Sequence, residues 1–165
     1  MTKKTLILDQ HKIALKLQRM AYQIWECNSS EKEIILIGVE GSGVVISKVL
    51  AQALRSISPL TVTELSIQIN KKQPLKSPAI LDADLKNKVV VLVDDVANSG
   101  RTLLYAMKPL LNFSLKKIQI AVLIDRKHKS YPVAPDIVGY SIATTLQEHI
   151  DVDCEENDVK GVYLL

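Results

Sequence analysis

The chain has 165 residues, of which 47% are hydrophobic and 24% are charged. This length and composition are typical of one globular domain, and they exclude a chain that is disordered, collagen-like or of low complexity throughout. The net charge of +3 is too small for nucleic-acid binding over the whole surface, which leaves a local basic patch as the only such candidate. Cys27 and Cys154 are the two cysteines; they exclude a disulfide scaffold and lack the spacing of a zinc site.

The sequence carries no membrane or export signal. No apolar run approaches the roughly 18 residues that a membrane helix needs, and residues 2–8 lack the flanks of a signal peptide. We therefore expect a cytoplasmic protein with no membrane partner.

The first third of the chain predicts alternating helices and strands. Asp9 can cap a helix whose apolar residues recur at three- and four-residue steps, namely Ile13, Leu17, Met20, Ala21 and Ile24. A strand over 33–39 then runs into a glycine turn, which is followed by a helix over 44–57. Another strand is expected over 61–69.

Residues 70–87 interrupt the periodic pattern. The segment contains Pro74 and Pro78 and lysines at positions 71, 72, 76 and 86. A connection of this length is unusual within a compact domain, so it is either a functional lid or a slack insertion. We expect a lid over about 68–87.

The second half of the chain predicts the centre of the sheet. Five consecutive aliphatic residues at 89–93 indicate a strand that is buried on both faces and lies centrally in a parallel sheet. The elements expected after it are a turn over 94–100, a helix from about Arg101 that Pro109 kinks or ends, and strands over 118–124, 137–142 and 161–165. This order predicts an α/β domain with a central, mainly parallel sheet flanked by helices.

The stretch VVVLVDDVANSGRT, from Val89 to Thr102, is the most informative motif. Asp94 and Asp95 can accept hydrogen bonds from two sugar hydroxyls or help to place a hydrated divalent cation. The turn that follows offers backbone N–H groups, the hydroxyls of Ser99 and Thr102, and a helix N-terminus to a phosphate. A diol and a phosphate at this separation suggest a ribose 5-phosphate. The plainer alternative is that an acidic strand end and a capping serine simply begin a helix.

The full motif resembles the phosphoribosyl-diphosphate (PRPP) signature of type I phosphoribosyltransferases. That signature has four aliphatic residues, two acids, three intervening positions and a Thr/Ser-Gly-basic-Thr turn, and here it covers Val90 to Thr102. The resemblance implies the type I phosphoribosyltransferase fold as one domain over residues 1–165. It also implies a flexible lid and a small base-binding hood, built from N-terminal residues and about 126–165.

Within this family the chain looks most like the bifunctional pyrimidine operon attenuator and uracil phosphoribosyltransferase proteins. The supporting segments, in order, are Leu6 to Asp9, Glu64-Leu65, Ile120 to Arg126 and Asp136 to Gly139. The resemblance implies a transferase that moves the phosphoribosyl group of magnesium-bound PRPP to a nucleobase, with uracil as the expected base. The implied partners are PRPP, a nucleobase or nucleoside monophosphate, and further copies of the chain in a homodimer or higher oligomer.

The resemblance also assigns roles to residues. Asp94, Asp95 and Lys71 are the expected catalytic residues, with Mg²⁺ held at the two aspartates mainly through substrate and water. The residues expected to bind PRPP are Asp94, Asp95, Val96, Ala97, Asn98, Ser99, Gly100, Arg101 and Thr102. Lys71 stands where the family has arginine, so it would contact pyrophosphate as a point charge without a bidentate fork.

The expected pyrophosphate loop departs from the family pattern. It comprises Val39, Glu40, Gly41, Ser42 and Gly43, and its glycines let the backbone approach phosphate oxygens. The family often has lysine and arginine in this loop, where this chain has Glu40 and Ser42. A catalytically weak protein that only senses PRPP or nucleotides is therefore an open alternative.

The base pocket is expected at Arg126, Ile137 and Val138. Relatives that use 6-oxopurines place an acid at the position of Asn98 and a lysine at that of Arg126, so Arg126 favours the pyrimidine branch. That branch, however, usually has tyrosine at the Asn98 position. A hypoxanthine/guanine-type enzyme is therefore the second open alternative.

The proteins that this chain resembles also bind messenger RNA through a basic face. Lys12, Lys16 and Arg19 lie on one side of the first predicted helix, and basic residues cluster at 126–129, but neither group has interleaved aromatic residues. These groups are either an RNA surface or an ordinary solvated face. The acidic segment 148–158 lacks the spacing of a calcium loop and is expected to be solvated or to contact another copy.

Overall fold

A computed structural model describes residues 4–75 and 81–165. Its strands form two sheets, one of five strands and one of three. In chain order the elements are β1 (Thr5–Asp9), α1 (Gln10–Cys27), β2 (Glu33–Val39), α2 (Ser42–Ile57), β3 (Thr61–Ile67), β4 (Val89–Ala97), α3 (Arg101–Leu110), β5 (Lys117–Arg126), β6 (Ile137–Ile142), β7 (Ile150–Glu155) and β8 (Asp158–Leu164).

The main sheet has the order β3-β2-β4-β5-β6, and all of its strand pairs are parallel. This confirms the expected α/β class and places β4 at the centre. Val90 to Val93 are completely buried, because β4 has a neighbouring strand on each side and a layer of packing on each face. A strand in that position has no solvated face, so its sequence reads as continuous aliphatic residues.

The helices cover both faces of the main sheet. The buried sides of α1 and α2 pack with Val89, Val91 and Val93, whereas α3 packs with Val90 and Leu92 on the opposite face. Successive side chains of a strand point to opposite faces, so one valine-rich strand supplies both cores. Asp9 caps α1, as predicted, by accepting a hydrogen bond from the Lys12 N–H at 2.8 Å. The helix α3 ends at Leu110, one residue after Pro109.

The three-stranded sheet has the order β1-β8-β7 and is antiparallel, so it joins the two ends of the chain. Strands β1 and β7 were not expected from the sequence, and β8 begins at Asp158, before the predicted position 161. The acidic segment 148–158, which the sequence predicts to be solvated or to contact another copy, contains β7 and the turn to β8, and this hairpin buries Val152, Val159 and Val162 on its apolar side. Its acids at alternate positions lower the strand propensity and hide the apolar face.

The expected lid, 68–87, falls partly outside the described residues, which omit 76–80, including Lys76 and Pro78. Before that gap, the Asn70 side chain accepts hydrogen bonds from the N–H groups of Lys72 and Gln73 at 3.1 and 3.0 Å. After the gap, Leu85 has no exposed surface and packs into the α3 side of the core. Any moving part of the lid must therefore end before Leu85, and the lid itself stays a prediction.

No helix in the described part of the chain is long and apolar enough to cross a membrane. Cys27 and Cys154 are both free thiols, and Cys27 is exposed whereas Cys154 is partly buried.

Candidate active site

The sheet order creates a crevice between the carboxyl ends of β2 and β4. From β2 the chain passes through α2 to β3, on one side of the sheet's centre. From β4 it passes through α3 to β5, in the opposite direction along the sheet. Such a reversal of strand order is the usual ligand position in open α/β sheets. Pairing between β2 and β4 ends at Gly38 and Val93, so Asp94 is the first residue beyond it.

The two aspartates lie within β4, which corrects the expectation that a turn begins at Asp94. The strand continues to Ala97 because its pairing with β5 persists after pairing with β2 has ended, with Val96 opposite Ile124 and Ala97 opposite Asp125. Asp94 lies opposite Val122 and Val96 lies opposite Ile124, so the backbone on both sides of Asp95 stays paired with β5, and both aspartates line one cavity. They are therefore held by a rigid sheet edge.

Asp94 and Asp95 have different environments. Asp94 is 2% exposed and its carboxylate accepts a hydrogen bond from the Asp95 N–H at 2.9 Å, whereas Asp95 is partly exposed and accepts from the Val96 N–H at 2.7 Å. Burial, together with the negative charge of Asp95, raises the pKa of Asp94 to about 8, and the positive charge of Lys71 opposes this rise. The site therefore contains a buried acid that a cation would stabilise in its charged form.

A cavity of about 240 Å³ contains most of the predicted site. The residues that line it are Lys71, Asp94, Asp95, Val96, Ala97, Asn98, Ser99, Gly100, Arg101, Thr102, Leu103 and Ile150. The structure thus brings Lys71 to the whole PRPP motif, although more than 20 positions separate them in the sequence. Ile150 enters from β7, a strand that the sequence did not reveal.

The turn after β4 is held from behind by residues 129–133. The Ser99 carbonyl accepts hydrogen bonds from the N–H groups of Ser130 and Tyr131, each at 3.0 Å, and the Lys129 ammonium donates to the Ala97 carbonyl at 3.3 Å. Gly100 has a φ of 85°, where a side chain would be strained. These contacts engage the carbonyls of Ala97 and Ser99, and the start of α3 adds N–H groups without helical partners.

Arg101 supplies a donor suited to an anion. Its Nε atom is buried and has no hydrogen-bond partner among the described residues, and its guanidinium lies 5.8 Å from the centre of the Tyr105 ring. A buried donor without an acceptor is costly. Because Arg101 lines the cavity at the N-terminus of α3, a phosphate oxygen is the acceptor that best fits this position.

The predicted pyrophosphate loop lies on the other side of the crevice. Val39 is the buried last residue of β2, Glu40 is exposed, Gly41 precedes α2, and Ser42 and Gly43 form the first turn of that helix. An added Cβ at Gly43 would lie 3.0 Å from the Val93 carbonyl oxygen and 3.1 Å from an Asp94 carboxylate oxygen. The N-terminus of α2 is therefore packed directly against Asp94.

We expect Gly43→Ala to destabilise the protein by about 1–3 kcal/mol, because the methyl group must displace Val93 or Asp94. The same displacement should weaken PRPP binding. Thermal unfolding and titration calorimetry with PRPP measure the two effects, and Ser56→Ala, at the exposed far end of α2, is the control. Unchanged stability and PRPP affinity in Gly43→Ala would contradict this close packing.

The second sheet also reaches the loop. The Cys154 thiol lies beside the Ser42 hydroxyl, and burial raises the pKa of that thiol. Cys154 belongs to β7, so its approach to the loop could not be read from the sequence. The contact ties the C-terminal hairpin to the start of α2.

The residues expected at the base pocket are not brought together. Arg126, at the end of β5, is 9% exposed and donates to Asn98 in the turn after β4. Ile137 is 2% exposed at the start of β6, and neither it nor Val138 lines the cavity described above. The roles predicted for Ile137 and Val138 stay predictions.

Comparisons with known proteins agree with this architecture. A family model for the phosphoribosyl transferase domain matches residues 4–157. The bifunctional protein PyrR of Bacillus cereus is 34% identical over 170 residues, which cover 96% of this chain and 94% of that protein, and PyrR of Bacillus anthracis gives the same values.

Solved structures share the fold at low identity. The hypoxanthine phosphoribosyltransferase of Trypanosoma cruzi superposes with a TM-score of 0.79 at 16% identity, covering 98% of this chain and 95% of that chain. A hypoxanthine-guanine phosphoribosyltransferase of Bacillus anthracis superposes with a TM-score of 0.73 at 20% identity, covering 97% and 99%.

Proposed function

Because this chain belongs to the phosphoribosyl transferase family, we propose that it moves the 5-phosphoribosyl group of PRPP to uracil and releases pyrophosphate. The single observation that supports a working site is the cavity that combines Asp94, Asp95 and Lys71 with the turn 98–102. Members of the family are phosphoribosyltransferases, so transfer from PRPP is the reaction class, and the choice of base is our proposal.

Complementary tasks fit the two sides of the cavity. Asp95, which is partly exposed, accepts hydrogen bonds from the ribose hydroxyls, while the turn and the N-terminus of α3 hold the 5-phosphate. Pyrophosphate leaves toward the N-terminus of α2 and Lys71. Positioning and charge neutralisation of this kind suit a reaction in which positive charge develops at the anomeric carbon.

The residues present also fit Mg²⁺ bound together with substrate. The described residues contain no group of three or more His, Cys, Asp or Glu side chains that could hold a metal ion alone. Asp94 and Asp95 can supply two carboxylates, and octahedral Mg²⁺ takes its other ligands from water and phosphate oxygens. When bound, the ion would neutralise charge on pyrophosphate.

Uracil is favoured over a purine by two observations. The PyrR relatives are 34% identical over nearly the whole chain, and Arg126 matches the pyrimidine branch of the family. The purine phosphoribosyltransferases of Trypanosoma cruzi and Bacillus anthracis are only 16% and 20% identical to this chain, so they share its fold and give no support for a purine substrate.

A base panel with Mg²⁺ and PRPP tests this proposal through pyrophosphate release. We expect release with uracil and little with hypoxanthine or guanine. Release with a purine alone would support the purine alternative. PRPP binding without release, with every base, would support the sensor alternative.

Lys71 provides a prediction about the leaving group. We expect Lys71→Met to lower kcat by about tenfold or more, because it removes a positive charge from the side of the cavity toward which pyrophosphate is proposed to leave. Lys72→Met is the matched control, since Lys72 is exposed and does not line the cavity. Steady-state pyrophosphate release measures both variants, and equal activities would remove Lys71 from the mechanism.

RNA binding is a second candidate function, supported by the face of α1. Lys12, Lys16 and Arg19 line a shallow depression with Tyr140, which comes from β6, and the Lys16 ammonium lies 5.0 Å from that ring. No aromatic residue is interleaved with these basic residues in the sequence, and in the structure Tyr140 of β6 lies beside them. At 126–129, by contrast, only Lys127 and His128 are exposed. Salt-dependent RNA binding that Lys12→Ala and Lys16→Ala weaken would support this candidate.

We also propose that the chain forms a homodimer or higher oligomer. Leu15 and Tyr22 lie seven residues apart on one face of α1 and expose 54% and 48% of their surfaces, which makes this helix face a candidate contact between copies. Sedimentation equilibrium measures the state directly.

A further inference from the structure

Arg126 is held by three acceptors at the edge of the site. Its Nε donates to the Thr144 hydroxyl at 2.7 Å, one terminal nitrogen donates to Asn98 Oδ1 at 2.9 Å, and the other donates to the Thr145 carbonyl at 3.0 Å. The side chain is 9% exposed. Both ends of the guanidinium are therefore engaged, and its plane is fixed.

The segment beyond β6 is anchored as well. The Glu148 carboxylate accepts hydrogen bonds from the N–H and the hydroxyl of Thr145, at 2.6 and 2.9 Å. Thr145, whose carbonyl receives Arg126, is thus held in position. A chain of contacts runs from the 144–148 segment through Arg126 to the turn after β4.

This chain of contacts determines which way the Asn98 amide faces. A guanidinium has five donors and no acceptor, so only the amide oxygen of Asn98 can face Arg126. The amide nitrogen, with its two N–H groups, must then point away from Arg126. Asn98 is exposed and lines the cavity that holds Asp95, so these N–H groups are available to a ligand there.

We propose that Arg126 is a positioning residue that orients Asn98, and that the Asn98 amide N–H donates to a carbonyl oxygen of the nucleobase and thereby selects a pyrimidine. This inference rests on the proposed phosphoribosyl transfer. The sequence predicts that Arg126 contacts the base directly, whereas in this proposal Arg126 acts on the base through Asn98.

The chemistry of the two base classes explains the selection. As uracil reacts, its N1 binds the anomeric carbon, the bond to pyrophosphate breaks, and the N1 proton passes to water. The negative charge that develops on the base spreads to its carbonyl oxygens, where an N–H donor stabilises it. A neutral purine with a free lone pair on N9 carries its proton on N7, and that N–H cannot accept from an amide donor. The oriented amide therefore matches uracil and opposes the reactive form of hypoxanthine.

Asn98→Asp tests the proposal, because a carboxylate keeps the contact with Arg126 but offers only acceptors to the base. We expect the ratio of kcat/KM for uracil to that for hypoxanthine to fall by about tenfold or more. Asn112→Asp, an exposed site in the turn after α3, is the matched control and should leave the ratio unchanged. A ratio in Asn98→Asp within about twofold of wild type would overturn the proposal.

A second readout does not depend on turnover. The affinity for uridine monophosphate, measured by calorimetry, should fall in Asn98→Asp and stay unchanged in Asn112→Asp, because the carboxylate offers no donor to the base carbonyl. If the wild-type protein transfers to no base, the proposed function fails, but this loss of affinity would still support the orientation of Asn98. An unchanged affinity for uridine monophosphate in Asn98→Asp would contradict the inference alone.

The positioning role of Arg126 requires a double-mutant cycle. Arg126→Met should weaken the binding of uridine monophosphate when Asn98 is present, because the amide is then free to turn over. In the Asn98→Ala background the same substitution should have no further effect on this affinity. Equal effects in both backgrounds would show that Arg126 acts without Asn98, and would overturn its assigned role.

Discussion

Asp95→Asn is expected to lower kcat/KM for PRPP by about 100-fold or more, because it removes a charged acceptor from the group that holds the ribose hydroxyls. Asp95 is only partly buried, and its carboxylate is held by the Val96 N–H at 2.7 Å. An asparagine oxygen can keep that contact, so the fold should be retained. The lost charge and the new N–H donors then act on the ligand.

Titration with Mg²⁺ and PRPP, together with pyrophosphate release, measures this effect. Glu156→Gln, in the exposed turn between β7 and β8, also removes one carboxylate and should behave as wild type. Circular dichroism and thermal unfolding check that Asp95→Asn stays folded. A folded Asp95→Asn protein with normal PRPP affinity would show that Asp95 does not bind the ribose hydroxyls.

Asp94→Asn is expected to stabilise the ligand-free protein by about 3 kcal/mol at pH 7 while weakening its use of PRPP. Burial and the charge of Asp95 raise the pKa of Asp94 to about 8. The folded protein therefore disfavours the charged carboxylate that Asp94 would carry in water at pH 7. Asparagine is neutral at every pH and avoids that cost. For a chain of this size each kcal/mol corresponds to about 2–4 °C in Tm.

The sign of the pH dependence follows from the raised pKa. The unfolded chain releases the Asp94 proton near the ordinary value of 3.8, whereas the folded protein releases it near 8. Between these values the folded state binds more protons, so this group's contribution to stability is present at acidic pH and is lost as the pH rises through that window. Asp94→Asn does not lose stability in this way, so the difference in the free energy of unfolding between the variant and the wild type should grow from about pH 4 to pH 8.

Thermal unfolding across this pH range, without Mg²⁺ or PRPP, measures the difference between the two proteins. Glu156→Gln serves again as the control and should follow the wild-type curve. A constant difference in Tm, or a lower Tm for Asp94→Asn at pH 8, would contradict the account of a buried, destabilising carboxylate.

Local patterns in the sequence were sufficient to predict most of the main sheet. The run of aliphatic residues at 89–93 predicted a central parallel strand, because only a strand covered on both faces needs no polar side. The three- and four-residue spacing of Ile13, Leu17 and Met20 predicted the buried side of α1 for a similar reason. Pro109 marked the end of α3 because it cannot continue the helical hydrogen bonding.

Strands β1 and β7 of the small sheet were missed for different reasons. β1 pairs with β8, near the other end of the chain, and β7 alternates acids with apolar residues. The length of β4 was also missed, because Asp94 and Asp95 are poor strand residues. They remain in the strand since β5 supplies hydrogen-bond partners that β2 no longer offers.

The sequence by itself determined the reaction class, because the PRPP motif places its donors and acceptors on one continuous stretch of backbone. Only the tertiary structure decided what surrounds that stretch. It brings Lys71 and Ile150 to the cavity, packs Gly43 against Asp94, and turns Arg126 toward Asn98. These contacts join residues far apart along the chain, so they depend on strand order and register, which no local pattern of residue types specifies.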